Sequence, residues 1–318
     1  MLCIESFTPD SHLIHFIMIG CDSFWVASLS TVQGNAQSVI MTIRHPYEFT
    51  VKFWGVRGNI PTPGMETIRY GGNTSCVELQ VAGQRLIFDA GTGLRPLGNQ
   101  LLQEKSVQAR LFVTHTHWDR IQGFPFFAPA FMPGNHFEVY GPVGQNGASI
   151  KQRLSDQMLR PHFPVPLQMM QADLHFHDIA PGAVITLGKD VVVETIALHR
   201  ANTALGYRVT WKNHSFVYAT DVEYQANQTE PGLLHLAHQA DLLIYDIASD
   251  PVESPSTVPP AWQTAIEVAN LAQVKQLVLS HHDPDAEDDV LEQIEAEMQA
   301  SSAQVRLARE GMVISIGS

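Results

Sequence analysis

The run THTHWDR, residues 114–120, places His115, His117 and Asp119 at alternate positions and closes on Arg120. Imidazole nitrogens and a carboxylate are donors that divalent transition metals accept. Arg120 is not one of them, because its guanidinium keeps its proton and has no lone pair to give. Further ligand types close other apolar runs. His199 ends AVITLGKDVVVETIALH, Asp221 ends ALGYRVTWKNHSFVYATD, and KQLVLSHH ends on His281 and His282. His281 follows its run directly and is preferred to His282 as a ligand. A strand end followed by a tight turn can aim His115 and His117 at one ion while Asp119 reaches an adjacent one. An ion held there lowers the pKa of its water towards neutrality and makes hydroxide the nucleophile.

Such a set needs strands to deliver it. FTVKFWGVRG alternates and reads as a strand, and residues 74–93 read as two strands around a turn at Ala82-Gly83. VQARLFVTH is an apolar strand that brings His115 to its end. LRPLGNQLL, residues 147–160, AWQTAIEVANLAQV and DDVLEQIEAEMQAS have helical spacing, and Pro161 stops the second of these. ADLLIYDIAS is a strand ending near Asp246, and GMVISIG closes the chain as another. The two halves look alike, each a meander of strands followed by a helix. That order predicts two mixed sheets packed together with helices outside, a four-layer αββα sandwich.

The 318 residues suffice for a sizeable core, and the composition, 45% hydrophobic and 16% charged, is that of a globular chain. The net charge is −13 with no basic run, which argues against a long nucleic-acid track. Cys3, Cys21 and Cys76 form neither a disulfide framework nor a paired metal motif, so a reducing cytoplasm is expected. The apolar stretch 11–29 lacks a basic flank and is interrupted by Asp22, which speaks against a membrane segment. Residues 1–48 read as an N-terminal extension, with a true start expected at Met41, and 49–318 as the working domain.

At this point the motifs carry a specific resemblance. FWGVRGNIPTPG, RYGGNTSCVEL, LIFDAGTGLRPLG, THTHWDRIQGFPFFAPAFMPGN, ALGYRV, YATD and LVLSHHDP cover most of residues 49–290. Together they resemble the metallo-β-lactamase-fold hydrolase superfamily, and within it the bacterial phosphodiesterase-like branch. The resemblance implies two divalent ions, zinc first and manganese as the alternative. His115, His117 and His199 would hold one ion, Asp119 and His281 the other, with Asp221 bridging. It implies a metal-held hydroxide attacking a small phosphodiester such as a cyclic nucleotide, with Asp119 and Asp221 at the chemistry. Arg120 and His282 would support the ligands or touch substrate. No membrane partner is implied, and a homodimer is left open.

Two positions depart from the branch pattern. Arg120 stands where a histidine usually helps the second ion, and Pro259 stands where a histidine able to protonate the leaving group is usual. A guanidinium repels a dication by about 5–6 kcal/mol at about 6 Å and an effective dielectric of about 20. One β-lactamase subclass nevertheless carries HxHxDR and resembles a two-zinc enzyme. The departures motivate an alternative reading, a relative with one ion or none that acts as a binding or interaction protein. A further alternative is a tRNA 3′-processing-type nuclease, ranked lower because no basic arm is visible. His175 and His177 in DLHFHD read as alternating residues on one strand face with no third ligand nearby. Asp89 is expected to hold its glycine-rich loop.

Overall fold

Alternation in FTVKFWG buries Phe49, Val51 and Phe53 on one face of a strand and leaves Thr50 and Lys52 on the other. The computed structural model describes residues 3–7, 13–17, 49–199, 204–222, 231–246, 261–302 and 304–317. The chain divides into two units, Met1–Glu48 and Phe49–Ser318. In the first, β1 (Cys3–Phe7) and β2 (Leu13–Ile17) pair antiparallel. Met41 and the rest of stretch 11–29 lie outside the described residues.

In the second unit, chain order begins with β3 (Phe49–Gly55), β4 (Cys76–Val81), β5 (Gln84–Phe88) and β6 (Gln108–Phe112). Next come β7 (His136–Pro142), β8 (Asp173–Ile179), β9 (Val184–Leu187), β10 (Val191–His199), β11 (Ala204–Trp211) and β12 (His214–Ala219). Last are β13 (Leu242–Asp246), β14 (Leu277–Ser280), β15 (Val305–Leu307) and β16 (Val313–Ser315). They form two seven-stranded sheets, ordered β16-β3-β4-β5-β6-β7-β8 and β15-β14-β13-β12-β11-β10-β9. Each sheet is antiparallel on one side and parallel on the other. The parallel parts run β5 to β8 and β12 to β15. Ala82 and Gly83 join β4 to β5 with φ of 49° and 75°, the positive pair that a two-residue hairpin turn needs.

The inner faces meet in an aromatic layer. The ring of Phe88 lies 5.3–5.6 Å from those of Phe112, Tyr207, Phe216 and Tyr218, so both sheets share it. Helix α1 (Leu94–Leu101) covers the outer face of the first sheet with Leu94, Leu97 and Leu101. The second sheet is covered by α4 (Pro231–Ala237), α5 (Ala261–Leu271) and α6 (Asp288–Ser301), through Leu233, Val268 and Leu291 among others. Between them in the chain come α2 (Trp118–Ile121) and α3 (Ile150–Asp156). The expected four-layer αββα sandwich is the fold observed.

Details differ from the sequence reading. The helix expected over 147–160 is confined to α3, which starts where the Ser149 hydroxyl accepts the Gln152 amide at 3.1 Å. FPFFAPAF folds as two 3₁₀ turns, burying Phe124 and Phe127 and leaving Phe126 exposed. Strands β7 and β15 had not been recognised. Among the described residues, no helix is long and apolar enough to cross a membrane.

Candidate metal centre

The candidate residues collect where strands of both sheets end. His115 lies three residues beyond β6, Asp221 two beyond β12, and His281 directly after β14. Chains turn sharply at such ends. Asp89, Asp221 and His281 do so with φ of 60°, 63° and 63°, a left-handed conformation that aspartate and histidine tolerate better than most side chains.

His115, His117 and Asp221 each offer a donor atom within 4.8 Å of the other two. The two imidazoles stand edge to face, 4.3 Å between centroids, and His115 Nε2 lies 3.7 Å from Asp221 Oδ2. Burial first, and then the Arg120 charge, push His115 down to about 3, so its lone pair is open to a metal at neutral pH. Two imidazoles and a carboxylate match the donor set of zinc and its neighbours. The residues present therefore fit one divalent ion. His199 ends β10, and its side chain lies outside the described residues, as does Pro259.

Asp119 and His281 form the adjoining half. Asp119 Oδ2 is 3.0 Å from His281 Nε2 and 3.2 Å from Arg120 Nε. His281 Nδ1 meets Asp246 Oδ1 at 2.9 Å, and Asp246 Oδ2 accepts the Asp221 amide at 2.7 Å. Asp246 thus orients two candidate ligands. The sequence signal for it was present, since Asp246 ends a strand like the others. Gly58 closes the far side of the His281 ring. A Cβ there would sit 2.9 Å from His281 Nε2, so the position excludes any side chain unless the ring moves.

Burial and the Arg120 charge push the His281 imidazole down, but Asp246 and the hydrogen bonds to both carboxylates outweigh them and raise it to about 9. A proton held this way stabilises the fold fully below the unfolded value of about 6.5 and stops doing so as pH climbs through the folded value. Metal-free protein is therefore expected to lose stability as pH rises from about 6.5 through about 9. His281→Asn should flatten that slope in chemical denaturation at stepped pH. A flat wild-type profile over this window would remove the carboxylate–imidazolium arrangement.

Arg120 is fully buried, which corrects the reading that it could touch substrate. Its Nη1 donates to Asp89 Oδ2 at 2.9 Å and to the Thr220 hydroxyl at 2.8 Å, and its Nη2 lies 3.8 Å from Asp246 Oδ2. Asp89 Oδ1 in turn accepts the Thr114 amide and hydroxyl at 2.8 and 2.9 Å. Asp89 therefore clamps the start of the 114–120 run as well as opening its own glycine-rich loop. His282 is likewise turned to another task. Its Nε2 meets the Ala308 carbonyl at 2.7 Å and its ring packs edge-on against Tyr70. Helix α3 touches the run too, because Arg153 donates to the Thr116 hydroxyl.

Comparisons with known proteins agree with this architecture. The Beta-lactamase superfamily domain matches residues 84–282. A protein named Ribonuclease Z from Picosynechococcus sp. is 25% identical over 301 residues, taking in 74% of this chain and 85% of that one. A Ribonuclease Z from Cyanothece sp. is 30% identical over 172 residues, 51% of this chain and 47% of its own length, so the chain spans about half of that relative. Among solved structures, the metallo-beta-lactamase fold protein YhfI of Bacillus subtilis superposes with a TM-score of 0.61 at 20% identity, covering 85% of this chain and 99% of its own. The short form of human tRNase Z gives a TM-score of 0.57 at 22% identity, covering 85% of this chain and all (100%) of its own. At those identities the two structures establish a shared fold.

Proposed function

Because the chain belongs to the Beta-lactamase superfamily domain family and is a metal-dependent hydrolase, we propose that it cleaves a phosphodiester bond in RNA. The observation that carries this is the convergence of His115, His117 and Asp221 on one point, with the Asp119–His281 pair beside it. The relatives named Ribonuclease Z favour RNA over the small diester that ranked first on sequence. His115, His117, His199 and Asp221 would hold the first ion, with zinc the fitting metal. Asp119 and His281 would hold the second with Asp221. A bound divalent ion supplies Lewis acidity towards the phosphoryl group. The chain's own residues do the positioning. Arg120 holds Asp119 from below, and Asp246 holds His281 and the Asp221 backbone. A cytoplasmic setting goes with this reading.

Trp118 lies between His117 and Asp119 and is 67% exposed. An aromatic face beside the ligands offers a stacking surface to a nucleobase. Trp118→Ala is expected to weaken RNA binding by about 1–3 kcal/mol, roughly five- to 150-fold in KM, with kcat much less changed. An unchanged KM would remove the stacking role.

The deciding experiment loads purified protein with zinc or manganese. It then offers three substrates: RNA with a 3′ extension, a cyclic nucleotide, and a chromogenic phosphodiester. RNA cleavage that disappears in His117→Ala supports the proposal. Turnover of the small diesters with intact RNA would replace it with the small-substrate reading, which the net charge of −13 favours. No metal uptake and no turnover of any of the three would refute both.

A further inference from the structure

Strands β7 and β8 run parallel with His136 opposite Asp173 and Glu138 opposite His175. Facing and diagonal neighbours on one sheet face lie within side-chain reach. Asp173 bridges the two imidazoles here, with Oδ2 at 2.9 Å from His136 Nδ1 and Oδ1 at 2.9 Å from His175 Nε2. One donor atom from each of the three residues lies within 4.8 Å of the other two. The sequence reading set His175 aside for want of a third ligand and paired it with His177. The fold separates that pair. His177 stacks on Tyr140, 4.5 Å between centroids, while β7 supplies His136 to His175.

We propose that His136, Asp173 and His175 form a peripheral site for a divalent transition-metal ion, distinct from the candidate metal centre. Two imidazoles and one carboxylate suit zinc, copper(II) or nickel and are a poor set for magnesium or calcium. A tetrahedral ion with bonds of about 2.0–2.1 Å keeps its donor atoms about 3.3 Å apart, so modest side-chain rotations from the present 2.9 Å contacts suffice. Each imidazole would offer the ion the lone pair of the nitrogen now facing Asp173 and carry its N–H on the other ring nitrogen. Glu138, opposite His175 in the register, is engaged by Arg110 Nε at 2.7 Å, so the protein would supply three ligands and solvent would complete the shell. The backbone beneath is fixed. Asn135, buried, accepts the Val107 amide through its side chain and the Asp173 amide through its carbonyl, each at 2.9 Å.

The location is separate from the metal centre. His136 pairs with Gln108, the first residue of β6, whereas His115 lies beyond the last residue of β6. At about 3.3 Å per residue the two sites are on the order of 20 Å apart along the strand direction, at opposite ends of the first sheet. An ion at the rim would tie the edge strand β8 to β7.

The test uses the full chain stripped of metal. His115→Ala/His117→Ala disables the main centre, and copper(II) is titrated with detection by electron paramagnetic resonance. The expected result is uptake of an ion showing coupling to two imidazole nitrogens. Adding His175→Ala should lower the uptake by about one equivalent and abolish that coupling. Asp173→Asn, which keeps both imidazoles, should weaken uptake by about tenfold or more. Asp173 and His175 are well exposed, so circular dichroism should show His175→Ala and Asp173→Asn folded like the parent that carries them. Equal uptake with and without His175, or an unchanged nitrogen signature, would overturn the proposal.

Discussion

Arg120→Leu is expected to destabilise the protein by about 3–5 kcal/mol, the range seen when one partner of a buried ion pair is removed. The cost is not chiefly the loss of a favourable contact. Asp89 has no exposed surface through which water could replace the guanidinium, and it stays to anchor Thr114. Arg120→His, which would restore the histidine expected from the family resemblance, should err in the same direction. One imidazole cannot serve Asp89, Asp119 and Thr220 together. Urea unfolding of wild type and single variants measures the effect, and the double variant Asp89→Asn/Arg120→Leu should recover much of it, since both charges then go while the left-handed backbone is kept. A loss under about 1 kcal/mol in Arg120→Leu would show that the buried pair is not what holds the run in place.

The second large effect concerns the reaction. His117→Ala removes one of three donors that meet at a point, and a divalent ion contributes several kcal/mol of charge stabilisation to such hydrolyses. RNA cleavage is expected to fall by roughly a thousandfold or more, with metal affinity reduced beyond the 10–100-fold typical of outer-shell changes. Stability without metal should barely change, which separates this variant from Arg120→Leu. Retention of more than about a tenth of wild-type turnover would mean that the cluster is not the reacting centre.

What the sequence disclosed follows from its local character. The candidate ligands His115, Asp221 and His281 were visible because each follows the end of an apolar strand, with His117 two residues beyond His115, and strand ends can be read from alternation alone. Their convergence depends on two sheets packing face to face with these strand ends at one rim, which no local pattern encodes. Arg120 was misread for the same reason. Its partner Asp89 is distant in the chain, and only the parallel pairing of β5 with β6 sets them side by side. Strand β7 escaped because HFEVYGP starts on a polar residue and ends on Gly-Pro, although Phe137 and Val139 do alternate into the outer core. Missing β7 also hid His136, and with it the grouping around Asp173.

The three left-handed residues at the strand ends, Asp89, Asp221 and His281, carry a consequence for how the centre can be altered at all. Branched or bulky side chains are strained there by about 1–3 kcal/mol whatever their chemistry. An alanine or valine at these positions changes the path of the chain and the donor together. Asparagine holds the same backbone and keeps a polar atom while giving up the charge, so Asp221→Asn and His281→Asn isolate the chemistry. The vocabulary of workable residues at these three positions is thus set by the main chain before any metal or substrate has a say.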